Sequence, residues 1–230
     1  MKTIVKQLSQ KSGLEYLHID DNLDFAYYQD KDDFYLLCFY DYHDLLRLTG
    51  DNLKVLEYAL NTVVANAKTS EVLARFTDRN INYNLSLILF VDLDNDYPNL
   101  IQELNKVEEN YIIAKKYVLH YDSTTLGQLR VKIADSDNII QSINDLAIVH
   151  SDSIQDNEEK WYDLLLNLFI KIPYLNYQPT DHSLTITNLS DSINGVLTDR
   201  ESFLLSIINT GNISSITDIE NFANIKNMIE

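Results

Sequence analysis

One cysteine, three prolines, five glycines and a single tryptophan occur among 230 residues. A lone cysteine excludes an internal disulfide framework and a cysteine metal site, and Leu37 and Phe39 on either side of Cys38 predict a buried core thiol. So little glycine and proline excludes linker-rich, collagen-like and low-complexity chains, and no fixed-period repeat is visible. The motifs G-x-x-x-x-G-K-[ST], G-x-G-x-x-G and G-x-S-x-G are all missing, which excludes glycine-loop phosphate cradles and the nucleophile elbow.

Basic residues are also scarce, with 18 lysines and arginines against 35 acids and a net charge of -17. Free nucleic acid is therefore a poor partner, because its binding energy comes largely from cations that release phosphate counterions. No apolar run approaches the roughly 18 residues that span a bilayer. MKTIVKQLSQKSG carries neither an apolar core nor a small-residue cleavage site. A soluble, cytoplasmic chain without membrane contact is expected.

What is present is 45% hydrophobic, enough for a sizeable core. Residues 3 to 10 have helical spacing and lead to a turn at Gly13. YLHI (16–19), LDFAYYQ (23–29) and FYLLCFY (34–40) predict an antiparallel meander, the third run buried on both faces. A helical stripe from Tyr42 to about Ala67 breaks near Gly50, and LSLILFVDL (85–93) is the strongest buried strand. Beyond Pro98 helices dominate: a face with Leu100, Leu104, Val107 and Tyr111, then 124–133, 139–149 and WYDLLLNLFIKIPYL, ended by Pro173. LTIT (184–187) is a further strand, followed by helices over 189–197, 198–208 and from about 215. Thr198 with Glu201 fits a capping box.

The fold class expected is α+β. A small mixed or antiparallel N-terminal sheet with helices over 1–97 precedes a mainly helical region over 98–230, the two forming separate regions or one continuous domain.

Candidate chemistry is sparse. Asp92, Asp94, Asp96 and Glu103 occupy positions 1, 3, 5 and 12 of a calcium loop, but Tyr97 stands where that loop needs glycine, and a strand precedes it. The same aspartates could serve a metal-dependent nuclease, although no E-x-K partner follows. The five histidines show no zinc-binding spacing. Neither catalysis nor a cofactor is expected.

YIIAKKYVLHY (111–121) sets two adjacent lysines in an apolar run of an acidic chain. Its aromatic and β-branched content favours a strand, which would send Lys115 and Lys116 to opposite faces. Both lysines would then reach solvent or offset Glu108 and Glu109, or else form a docking patch.

Lys115, Lys116, Tyr117, Val118, Leu119 and Tyr121, followed by Leu164–Leu166, Leu168–Lys171, Pro173 and Leu175, form two motifs. Together they resemble the pattern of the middle component of bacterial ABC three-component systems, the class that includes the small accessory subunit of Lamassu-type anti-phage defence. The similarity covers most of residues 75 to 176. It departs at Ile112 and Ile113, where aromatic residues are expected, at Asn110, where an acid is expected, and at Ile172 and Tyr174 around Pro173.

The resemblance implies a non-catalytic subunit beside an SMC/Rad50-like coiled-coil ATPase and an effector nuclease, meeting DNA only through the complex. Lys115, Lys116, Tyr117, Tyr121 and Lys171 are the candidate docking residues. The alternatives are an acidic inhibitor or antitoxin-like protein, and a metal nuclease built on Asp92, Asp94 and Asp96.

Overall fold

Three aromatic-rich runs form the antiparallel meander expected of them. After helix α1 (Lys2–Lys11), strand β1 (Glu15–His18) pairs with β2 (Leu23–Tyr27), and β2 pairs with β3 (Phe34–Asp41). The structure is a computed structural model that describes residues 1–95, 97–134, 138–151 and 159–178. The strand and helices read from the sequence at 184–187, 189–197, 198–208 and beyond 215 lie outside the described residues.

Two parallel strands extend the meander. Strand β4 (Leu85–Asp92) runs alongside β3, and β5 (Lys115–Tyr121) runs alongside β4, in the register Phe34↔Leu85 and Ser86↔Lys115. The strand order is β1-β2-β3-β4-β5. Parallel neighbours need crossover connections. Helices α2 (Tyr42–Thr49), α3 (Leu56–Thr69), α4 (Glu71–Ala74) and α5 (Ile81–Asn84) lie between β3 and β4, and α6 (Pro98–Glu109) lies between β4 and β5. The helical stripe over 42–67 thus becomes two helices, because Gly50 adopts a left-handed conformation (φ 59°) that caps α2.

Helices α7 (Ser123–Ile133), α8 (Ile139–Val149) and α9 (Lys160–Lys171) complete the described elements. Together with α1 they cover one sheet face, against Ala26, Tyr35, Leu37, Ile88, Phe90 and Leu119. Helices α2, α3 and α6 cover the other, against Phe34, Leu36, Cys38, Leu87, Leu89 and Val118. A sheet buried on both faces explains why β3 and β4 show no alternation of apolar and polar residues. The architecture is α+β, a five-stranded mixed sheet with helices followed by a helical region.

A division at residue 97 would cut between β4 and β5, which share a ladder, and residues 1–180 instead cluster as one unit. The sheet therefore draws its fifth strand from the region read as helical. Among the described residues no helix is long and apolar enough to cross a membrane.

Candidate functional site

The two adjacent lysines separate as a strand requires, and Lys116 turns inward. It is 2% exposed, and its Nζ donates to the carbonyl oxygens of Asn110 (2.8 Å), Ile112 (2.9 Å) and Ala114 (3.4 Å). Burial holds its pKa below the usual lysine value, against the opposing pull of Glu57. Reading Lys116 as a solvent-facing or docking cation is therefore incorrect. The carbonyls of the preceding loop supply enough acceptors to keep an ammonium inside.

That loop carries three consecutive exposed apolar side chains. Tyr111, Ile112 and Ile113 are 69%, 65% and 42% exposed. Ala114 N–H donates to the carbonyl of Ile112 (2.9 Å) around Ile113, whose φ is +72°. The result is a positive-φ γ-turn, and a β-branched residue is rarely found there because its Cβ crowds the backbone. Such conformations cost on the order of 1–3 kcal/mol and persist only where the surroundings impose them.

Here three side chains do so. The Asn110 carboxamide accepts the Ile112 amide (2.7 Å) and donates to Glu57 on α3 (2.5 Å). Lys116 gathers the carbonyls from within. Lys68 donates to the carbonyls of both Ile113 and Asn82 (3.0 Å each), which brings α5, with Tyr83 88% exposed, up to the loop. Burial holds Lys68 below the usual lysine value as well.

The other candidate docking residues do not gather into one patch. Lys115 is exposed, on the opposite face from Lys116, with its Nζ 4.8 Å from the Tyr117 ring centroid. Tyr117 and Tyr121 are half-buried against the core layer that holds α7 and α9. Burial, reinforced by Asp92, holds the Tyr121 phenol well above its ordinary value. Lys171 lies at the sheet edge, paired with Glu108 at 2.5 and 2.6 Å. Glu108 is thus offset by Lys171, not by the neighbouring lysine pair.

A cleft of about 890 Å3 opens at the carboxyl ends of β4 and β5, lined in part by Asp94, Asp122, Lys160 and Asp163. Ser123 Oγ donates to Asp94 (3.1 Å) and more weakly to Asp92 (3.4 Å). Burial, then Asp94, raises the Asp92 carboxyl, although Ser123 opposes the shift. Among the described residues no group of three or more His, Cys, Asp or Glu side chains could hold a metal ion, and Asp96 lies outside them.

Cys38 is fully buried, and burial pushes its thiol well up, as its apolar neighbours foretold. His18 lies on the sheet face opposite Cys38, 2.8 Å from the buried Asp24, which also accepts from Tyr16 (2.5 Å) and pairs with Lys2 (3.1 Å).

Reading residue by residue from the sequence missed Asn110, Tyr111, Ile112, Ile113, Lys68 and Tyr83 as parts of one surface. The usable signal was Asn110 beside three large apolar residues. An asparagine commonly closes a short turn onto the amide two residues ahead.

No protein-family model, curated protein or solved structure matches the chain.

Proposed function

We propose that the chain is a non-catalytic accessory subunit of a bacterial anti-phage defence complex, bridging an SMC/Rad50-like coiled-coil ATPase and an effector nuclease. The carrying observation is the clamped loop at Tyr111–Ile113. Three large apolar side chains are held outward on strained backbone by Asn110, Lys68 and Lys116. Fixed apolar surface of this kind meets a partner at low entropic cost and supplies the core of an interface, around which charged residues form the rim.

The family resemblance supports the same reading. Its two motifs, some fifty residues apart in the chain, become β5 and α9, which pack together beside Lys171. Lys116, the second lysine of the first motif, shapes the loop and does not itself meet a partner. An acidic exterior of net charge -17 suits docking on basic DNA-handling machinery without direct affinity for DNA.

The test is co-purification of the tagged chain with its genomic neighbours. A coiled-coil ATPase should be recovered with the wild-type chain and lost with Tyr111→Asp/Ile112→Asp, while the variant keeps its fold. Recovery undiminished by that variant would remove the loop from the interface. Recovery of a lone toxin or nuclease would favour the inhibitor reading.

A further inference from the structure

Helix α3 carries Glu57 in its first turn and Lys68 in its last, about three helical turns apart and so on one face. The two residues hold opposite ends of one loop. Glu57 accepts from Asn110, and Lys68 donates to the carbonyl of Ile113, the residue at positive φ. The same Nζ also donates to the carbonyl of Asn82 in α5, so one half-buried ammonium bridges two segments distant in the chain. Among the described residues no carboxylate pairs with Lys68, and these two carbonyls are its hydrogen-bond acceptors.

Neither segment keeps its shape unaided. Helix α5 is a single turn of four residues, too short to persist without tertiary contacts. It starts from a left-handed Asn80 (φ 58°) and is anchored by Ile81, 1% exposed in the core layer that holds α3 and α6. The loop, for its part, carries strain at Ile113, whose own carbonyl Lys68 takes. Two marginal segments that share one cation open and close together, because local unfolding of either removes a contact that fixes the other.

We propose that Lys68 makes the 110–114 loop and α5 one cooperative unit, so that α5 governs the conformation of the docking loop. The proposal rests on the reading of that loop as the docking surface. Lys68 is a positioning residue: it acts through the Ile113 and Asn82 carbonyls. Ile81 becomes a regulatory position, because its buried side chain reaches the loop only by way of α5 and Lys68. A partner that fixes Tyr111–Ile113 orders α5 in return.

Amide hydrogen exchange of the full chain, resolved by residue, tests the linkage without a partner. Ile112 and Ala114 report on the loop, and Tyr83 and Asn84, which donate to the Asn80 carbonyl, report on α5. Lys68→Met should speed all four by a common factor of about ten, the worth of one charge-assisted hydrogen bond, and Lys68→Arg should restore them. Acceleration of one segment without the other overturns the proposal, as does equal acceleration of Leu89 in the central strand. If Lys68→Met fails to fold, Ile81→Ala carries the test, and unchanged exchange at Ile112 and Ala114 overturns the linkage. Co-purification then reads the regulation: each single variant should lower recovery of the ATPase, and Lys68→Met/Ile81→Ala should lower it no further than the stronger single. Additive losses overturn the shared route. A wild-type chain that recovers no ATPase overturns the docking reading instead, and exchange alone then decides the linkage.

Discussion

Replacing Lys116 by methionine keeps a long apolar stem and removes the ammonium that gathers the 110–114 loop. Two of its hydrogen bonds, at 2.8 and 2.9 Å, are short and charge-assisted, and the third is long at 3.4 Å. Bonds of this type contribute about 1.5–3 kcal/mol each. Part of that gain offsets the cost of burying the charge, the same cost that lowers the lysine's pKa. The net loss expected is about 2–4 kcal/mol. With a urea m-value of roughly 2–3 kcal/mol/M, the denaturation midpoint falls by about 1 M. Lys116→Glu places an anion among three carbonyl oxygens and should cost more, about 3–5 kcal/mol. Lys115→Glu, one residue away on the exposed face, should change stability by less than about 0.5 kcal/mol. Urea unfolding followed by circular dichroism measures all three. Equal midpoints for Lys115→Glu and Lys116→Glu would refute the inward clamp.

Leu168, fully buried on α9, should lose about 2–5 kcal/mol on replacement by alanine, read as a lowered thermal midpoint. Asp24→Ala removes a buried carboxylate that meets Tyr16, His18 and Lys2, and should cost about 3–5 kcal/mol in urea unfolding. Burial holds the phenols of Tyr16, Tyr35, Tyr40, Tyr121 and Tyr174 far above their ordinary value. A folded pKa raised above the unfolded one stabilises fully below about pH 10 and is lost as pH rises further, so the chain should unfold cooperatively on the alkaline side. The lowered Lys68 and Lys116 values act in the opposite direction but are outnumbered by the raised phenols, which include Tyr28 and Tyr162 as well. The phenolate absorbance of these buried tyrosines should rise in one step with unfolding; their gradual ionisation in a folded chain would contradict this.

Local pattern made most of the sheet legible. The meander followed from three aromatic runs between aspartate-rich turns, and the unbroken apolar runs of β3 and β4 marked strands buried on both faces. The strand period also placed Lys115 and Lys116 on opposite faces. It could not say which face was dry, because that depends on where α6 lies across β5. The extent of the sheet was hidden for the same reason: β5 follows a helix and joins β4 only through a parallel ladder, so the change to helix at Pro98 resembled a boundary.

The docking residues show a similar limit. Lys171 and Glu108 are 63 residues apart, and neither helix alone signals that the two meet over a sheet edge. Ile112 and Ile113 were visible as departures from an aromatic pattern, yet their exposure rests on Lys68 and Lys116 reaching the same loop from different elements.

The most direct test of the central claim is the composition of what the tagged chain carries with it, with stoichiometry read by mass spectrometry. A coiled-coil ATPase in fixed ratio, recovered with the wild-type chain and lost with Tyr111→Asp/Ile112→Asp, is the result predicted. Recovery of the folded wild-type chain without that ATPase would contradict the account.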